Sequence, residues 1–303
     1  MPLSRRHFLA LGAALPAACA AKPGGPMPLA MPDDDGPLVM HRFLPKQHPQ
    51  AVILALHGYG DAGDLTFGRA AAAWTPRGIA VYAPDQRGFG TNPSRRHWPG
   101  VDALAADAIV QARALRQRYP GLPLTVVGHS MGGGVALVAA GLGLDADGLV
   151  LAGPAIAGGE ALGEVTRSAA RILAAALPER RWTGAGIVRI QPTDDLEVLR
   201  AVAADPRHYG DPSSRELYGL VLLMDRATEA APAVHIPTVV LMGAHDQVLA
   251  PEAVERIARR IPGLTRYVLY PRGWHWLFRD RQSPRVWADV GDFALGVTRT
   301  DFP

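Results

Sequence analysis

The sequence predicts an α/β fold: a mostly parallel, doubly wound sheet with an inserted helical cap. Three observations carry that expectation. Six short, β-branched apolar runs are each bounded by turn residues, amphipathic helical stretches lie between them, and one long segment lacks any such run. Continuous apolar strands belong to a parallel sheet covered on both faces. Strand and helix in alternation, joined by right-handed crossovers, wind such a sheet on both sides. With 303 residues and 48% hydrophobic composition, the chain can bury one large core, so one domain with an insertion is expected. It contains no internal repeat.

In chain order, residues 1–20 (MPLSRRHFLALGAALPAACA) begin with Arg5 and Arg6, continue through an apolar stretch from Phe8, and reach Cys19 among small residues. This pattern reads as a secretory signal, because the stretch is too short to span a bilayer. SRRHFL resembles the twin-arginine export motif, which implies a protein carried across the cytoplasmic membrane already folded; an ordinary Sec signal is the alternative. Cys19 is the sole cysteine, so no internal disulfide can form. Its place after LPAA resembles a lipobox, where Cys19 would be lipidated, although Pro16 stands where a larger aliphatic is usual. The other reading takes ACA as a cleavage site. The expected location is therefore the periplasm or, through a lipidated Cys19, a membrane surface, where one acyl chain anchors only marginally. Residues 21–36, rich in Pro, Gly and Asp, read as a flexible tether.

The core is expected over 37–155 and 233–303. Its strands are AVILALHG (51–58), IAVYAPDQRG (79–88), LTVVGHS (124–130), GLVLAGPA (148–155), TVVLMGAHD (238–246) and RYVLYPRG (266–273). A helix over 101–119 carries one stripe through Val101, Leu104, Ala108, Ile109, Ala112 and Leu115. Pro251 opens a helix running to Ile261, and Pro284 opens the last. Residues 156–232 interrupt the sheet and form the predicted cap, with a helix over 160–177 whose Leu162, Val165, Ala169, Ile172 and Leu173 share a face. Caps of this kind sit over the carboxyl ends of strands, where α/β sheets bind ligands.

TVVGHSMGGG poses the functional question. Ser130 stands between Gly128 and Gly132, directly after a strand and before a small-residue helix over 131–142. That context is a nucleophile elbow, in which the hydroxyl is lifted out of the sheet near a helix N-terminus that favours negative charge. A serine hydroxyl needs a base to act. Asp246 ends one later strand and His275 lies just beyond the last, in the chain order that this fold uses for nucleophile, acid and base. The backbone N–H of Tyr59, after His57-Gly58, and that of Met131 can supply an oxyanion hole.

Other candidates have plainer readings. His57 and His129 are packing or hydrogen-bonding neighbours, His245 adjoins Asp246 but is expected to point away from it, His235 precedes a strand, and His41, His48, His97 and His208 show no partner pattern. Asp85 and Arg87 in DQRGFG read as salt-bridged loop anchors. No His/Cys/carboxylate group has metal spacing and no glycine-rich phosphate loop opens a helix, so no cofactor is expected. The 31 Lys and Arg fall to 29, against 28 Asp and Glu, without Arg5 and Arg6. No basic, aromatic-interleaved surface remains, which argues against nucleic acid. The sequence leaves the oligomeric state open.

Taken together, HGYGD, DQRGFG, GHSMGG, GAHDQVL and GWHWLF occur in the order and spacing of the α/β-hydrolase superfamily and resemble its monoacylglycerol lipase and lysophospholipase branch. DPRHYG (205–210) resembles a further motif of that branch. The resemblance implies an α/β-hydrolase fold with Ser130 as nucleophile, Asp246 and His275 as its relay, and Tyr59 and Met131 as oxyanion donors. It also implies a small acyl ester as substrate, most naturally a monoacyl lipid. Alternatives are a small-ester carboxylesterase, a peptidase, haloperoxidase or carbon–carbon hydrolase on the same triad, and a non-catalytic surface-binding lipoprotein.

Overall fold

The computed structural model describes residues 38–183 and 190–297. The predicted signal, Cys19 and the whole of the tether lie outside the described residues.

Seven strands form one sheet: β1 (Met40–Phe43), β2 (Ala51–Leu56), β3 (Ile79–Pro84), β4 (Leu124–His129), β5 (Gly148–Ala152), β6 (Thr238–Gly243) and β7 (Leu264–Tyr270). Their spatial order is β1-β3-β2-β4-β5-β6-β7. All neighbours are parallel except β1, which pairs antiparallel with β3 from Met40 opposite Pro84 to Phe43 opposite Val81. The sequence reading missed β1. MHRF has no apolar run because an edge strand is only partly covered, and it buries none of its four residues fully. In β2 to β6 every residue is buried, as parallel strands covered on both faces require.

Helices α1 (Gly63–Trp74), α2 (Val101–Arg118) and α3 (Met131–Gly141) connect the first strands, and α4 (Gly159–Ala176), α5 (Leu196–Ala204) and α6 (Ser214–Ala230) lie between β5 and β6. Then come α7 (Pro251–Ala258) and α8 (Ser283–Gly296). On one face Phe67 and Trp74 of α1 meet Val286 and Val290 of α8. On the other, Leu104 and Ile109 of α2, Val135 and Leu137 of α3 and Val254 of α7 fill the core. The inserted segment is not wholly separate from that core. Leu223 and Ala227 of α6 are completely buried in the same cluster, and an added Cβ at Gly134 of α3 would lie 3.2 Å from the Leu223 side chain.

Strand order sets the site. From β2 the chain moves outward to β3, then returns to the other side of β2 for β4. The loops leaving β2 and β4 therefore diverge at neighbouring carboxyl ends, the crevice in which α/β sheets place ligands.

Candidate active site

Ser130 sits at this crevice, between β4 and α3, with φ 53° and ψ −117°. A non-glycine residue rarely occupies this region, so the strain is carried by the serine itself. The flanking glycines serve close approach. A Cβ on Gly128 would lie 2.4 Å from the Gly132 carbonyl oxygen, and one on Gly132 would lie 2.1 Å from that of Leu56. The turn is also pinned through its backbone. Ser130 N–H donates to Ala152 C=O at 3.0 Å, and its own C=O accepts from Gly133, Gly134 and Ala155.

The three predicted side chains meet. His275 Nε2 lies 3.0 Å from Ser130 Oγ, and its Nδ1 lies 2.8 Å from Asp246 Oδ2. Because a carboxylate only accepts, Nδ1–H donates to Asp246 and Nε2 is left to accept the serine proton. The other carboxylate oxygen accepts the N–H groups of Val248 and Leu249 at 2.8 and 2.9 Å. Burial alone would raise the Asp246 carboxyl. His275 and these backbone donors outweigh it and hold the carboxyl below its ordinary value. This chain of hydroxyl, imidazole and carboxylate is the arrangement that activates a nucleophile.

His275 is held from behind. His129 Nε2–H donates to the His275 carbonyl at 2.9 Å, with the two ring centres 5.3 Å apart. Burial, reinforced by His275 and Arg279, pushes His129 down to about 3, so it is neutral. Trp274 N–H donates to Asp280 and Trp276 N–H to the Pro192 carbonyl, fixing both neighbours of the base.

On the β2 side, a Cβ added to Gly58 would lie 3.3 Å from Ser130 Cβ, so the Tyr59 loop runs beside the nucleophile. Neither Tyr59 N–H nor Met131 N–H donates to a protein acceptor among the described residues. His57 braces this loop: Gln86 donates to both its Nε2 and its carbonyl, and its Nδ1 pairs with Gly58 C=O.

The plainer readings of Asp85 and Arg87 agree with their contacts. Asp85 accepts from Gly63 N–H and Thr91, while Arg87 grips Asp107 with two bonds of 2.9 Å. His245 stacks on Trp274. His41 is a correction, since it has a partner: Nε2 lies 3.0 Å from Asp85 and 3.5 Å from Asp64. Those three residues bring potential metal ligands within 4.8 Å, but Arg207 occupies Asp64 and Gly63 N–H occupies Asp85. The cluster is a knot of ion pairs.

A cavity of about 620 Å³ opens above Ser130. Its wall is apolar, from Leu217, Leu220 and Met224 of α6 to Val248, Leu249 and Ala253 near β6. Among the described residues no α4 side chain lines it, although the sequence pointed to that helix as the apolar cap element. Val165 is 84% exposed and Ile172 62%, so these two members of the α4 stripe face solvent. One corner is polar, formed by Asp61 and His208 beside Trp276. Sequence reasoning passed over both polar residues. His208 lies in the quoted DPRHYG, and its edge-on contact with Trp276 joins segments far apart in sequence. Asp61 ends HGYGD and pairs with the buried Arg279.

Comparisons with known proteins agree with this architecture. A family model described as "Serine aminopeptidase, S33" matches residues 47–282. The monoacylglycerol lipase of Mycolicibacterium smegmatis is 26% identical over 260 residues, covering 84% of this chain and 91% of its own. The human monoglyceride lipase is 26% identical over 225 residues, 71% of each chain. Among solved structures, the Paleococcus ferrophilus monoacylglycerol lipase matches 86% of this chain and all of its own with a TM-score of 0.72 at 20% identity. A soluble variant of the Saccharomyces cerevisiae monoglyceride lipase, in complex with a substrate analog, matches 91% of this chain and all of its own, TM-score 0.73, at 19% identity. With a family model spanning most of the sheet and its insertion, and relatives matched along most of their length, the chain belongs to the serine aminopeptidase S33 family of α/β-hydrolases, in its monoacylglycerol lipase-like branch.

Proposed function

We propose that this protein hydrolyses carboxylic esters of monoacyl lipids, of the monoacylglycerol or lysophospholipid type, through a covalent acyl-Ser130 intermediate. The observation that carries this reading is the Ser130–His275–Asp246 chain opening into a cavity that is apolar along one wall and polar at one corner. Ser130 Oγ attacks the ester carbonyl while His275 Nε2 takes its proton. Asp246 holds the imidazole in the required tautomer and stabilises its protonated form. The oxyanion is met by the N–H groups of Tyr59 and Met131, each worth roughly 3 kcal/mol if it behaves like measured donors of this kind. His275 returns the proton to the leaving alcohol, and water then releases the acid by the reverse sequence. In this reading the acyl chain lies along Leu217, Leu220 and Leu249, and the polar head lies toward Asp61 and His208.

The family description raises an aminopeptidase as a second reading, which would need a free carboxylate for the substrate ammonium. Among the described lining residues the one carboxylate is Asp61, and Arg279 already neutralises it. Burial would raise the Asp61 carboxyl, but the Arg279 guanidinium beside it holds it below its ordinary range.

The test is a chain-length series of p-nitrophenyl esters from acetate to palmitate, with an aminoacyl p-nitroanilide alongside. Monoacyl-lipid hydrolysis predicts kcat/KM rising from acetate to medium or long chains, with no anilide cleavage. A profile confined to acetate and butyrate would make the protein a small-ester carboxylesterase instead.

A further inference from the structure

The oxyanion loop is held by the inserted segment as well as by the core. Tyr209 N–H donates to the Gly60 carbonyl at 2.9 Å, one residue beyond the Tyr59 donor. Gly60 has φ +65°, and a Cβ there would lie 1.9 Å from the Tyr209 carbonyl oxygen, so the two backbones touch with no room for a side chain. The Tyr209 ring meets the Tyr59 ring edge-on at 5.5 Å and stacks on Phe89 at 6.2 Å. Arg96 lies 4.5 Å from the Tyr209 ring centre and forms two bonds of 3.1 Å to Asp211. Arg207 reaches Asp64, in the first turn of the helix that follows the loop, at 2.7 Å. The Tyr209 hydroxyl donates to Glu216, whose carboxylate also closes the capping box of α6. One short piece of the insertion thus clamps the loop, and it is tied through Glu216 to the helix that lines the cavity.

We propose that residues 205–211 position the oxyanion loop, with Tyr209 as the positioning residue, so that the placement of the insertion controls the chemical step as well as the fit of the acyl chain. This rests on the reading of Ser130 as an acyl-transfer nucleophile. Displacing Tyr209 lets the Tyr59 N–H move relative to the carbonyl oxygen of the substrate. An error of about 1 Å in such a group costs on the order of a hundredfold in rate. A segment that only shaped the acyl pocket would act on long substrates alone.

The experiment measures kcat for p-nitrophenyl acetate, whose two-carbon acyl group offers almost no chain for an apolar wall to bind, in wild type, Tyr209→Ala, Tyr209→Phe and Arg96→Gln. The proposal expects Tyr209→Ala to lose at least about tenfold in kcat on acetate and on laurate alike. Tyr209→Phe, which keeps the ring and the backbone bond, should recover most of that loss. Arg96→Gln, which removes the guanidinium over the Tyr209 ring and its two bonds to Asp211, should give a smaller fall of the same kind. The rate of Ser130 phosphonylation by a small alkyl fluorophosphonate, with fluoride as the leaving group and the adduct read by intact mass, should fall in parallel, because the phosphonyl oxygen occupies the same hole. Unchanged acetate kcat and phosphonylation, with losses only on laurate, would overturn the proposal and leave the esterase reading standing. If wild type neither turns over acetate nor is phosphonylated at Ser130, the nucleophile reading fails and the proposal falls with it.

Discussion

At the scale of single residues, the site depends on atoms that are missing as much as on those present. Gly132 has no Cβ because the Leu56 and His57 carbonyls occupy that space at 2.1 and 2.6 Å, and β2 cannot retreat from β4 without breaking its ladder. Gly132→Ala is therefore expected to lower the melting temperature and to slow Ser130 phosphonylation together, since overpacking of this kind costs about 1–3 kcal/mol and tilts the elbow. A variant that melted and labelled like wild type would show that the turn has slack. Ser130, Asp246 and His275 were legible in the sequence because each sits just past an apolar strand, and parallel strands deliver their ends to one edge. His208 and Tyr209 were not legible as site neighbours. Their contacts cross from the insertion to Trp276 beyond β7 and to Gly60 in the β2 loop, and no local periodicity encodes a contact across such distances.

At the scale of elements, the strands and most core helices follow from their apolar runs, and the exceptions have physical causes. β1 is an edge strand, so half-exposed His and Arg hide it. In α4, Val165, Ile172 and Leu173 of the predicted apolar stripe face solvent, while α6 supplies the cavity wall. A stripe says that a helix has an apolar face without saying what covers it. The segment carrying the base has its own electrostatic signature. Burial, with the Asp194 charge nearby, pushes the Asp280 carboxyl up to about 6 from its ordinary 3.8, against the Trp274 N–H that it accepts. The folded chain therefore binds this proton more tightly than the unfolded chain does. The stabilisation it gives is complete below the unfolded value and is lost as pH rises through 6. Asp280→Asn keeps an acceptor for Trp274 N–H and removes the titration. Its melting temperature, relative to wild type, should rise between pH 4 and pH 7 and level off above. A constant difference across that range would show that Asp280 does not carry this linkage.

At the scale of the whole molecule, one sheet with a reversal of winding beside β2 explains why groups from positions 59, 130, 246 and 275 converge. The insertion then closes the crevice, with α6 shared between core and cavity. No helix among the described residues is long and apolar enough to cross a membrane. Transfer of the acyl group of a monoacyl lipid by Ser130 is read from hydrolysis of 1-lauroylglycerol by wild type and by Ser130→Ala. Wild type should release free laurate, and the variant should lose at least about 10⁴-fold in kcat, by analogy with triads from which the nucleophile is removed. Equal turnover by the two proteins, or none by a wild type whose Ser130 is readily phosphonylated, would contradict it.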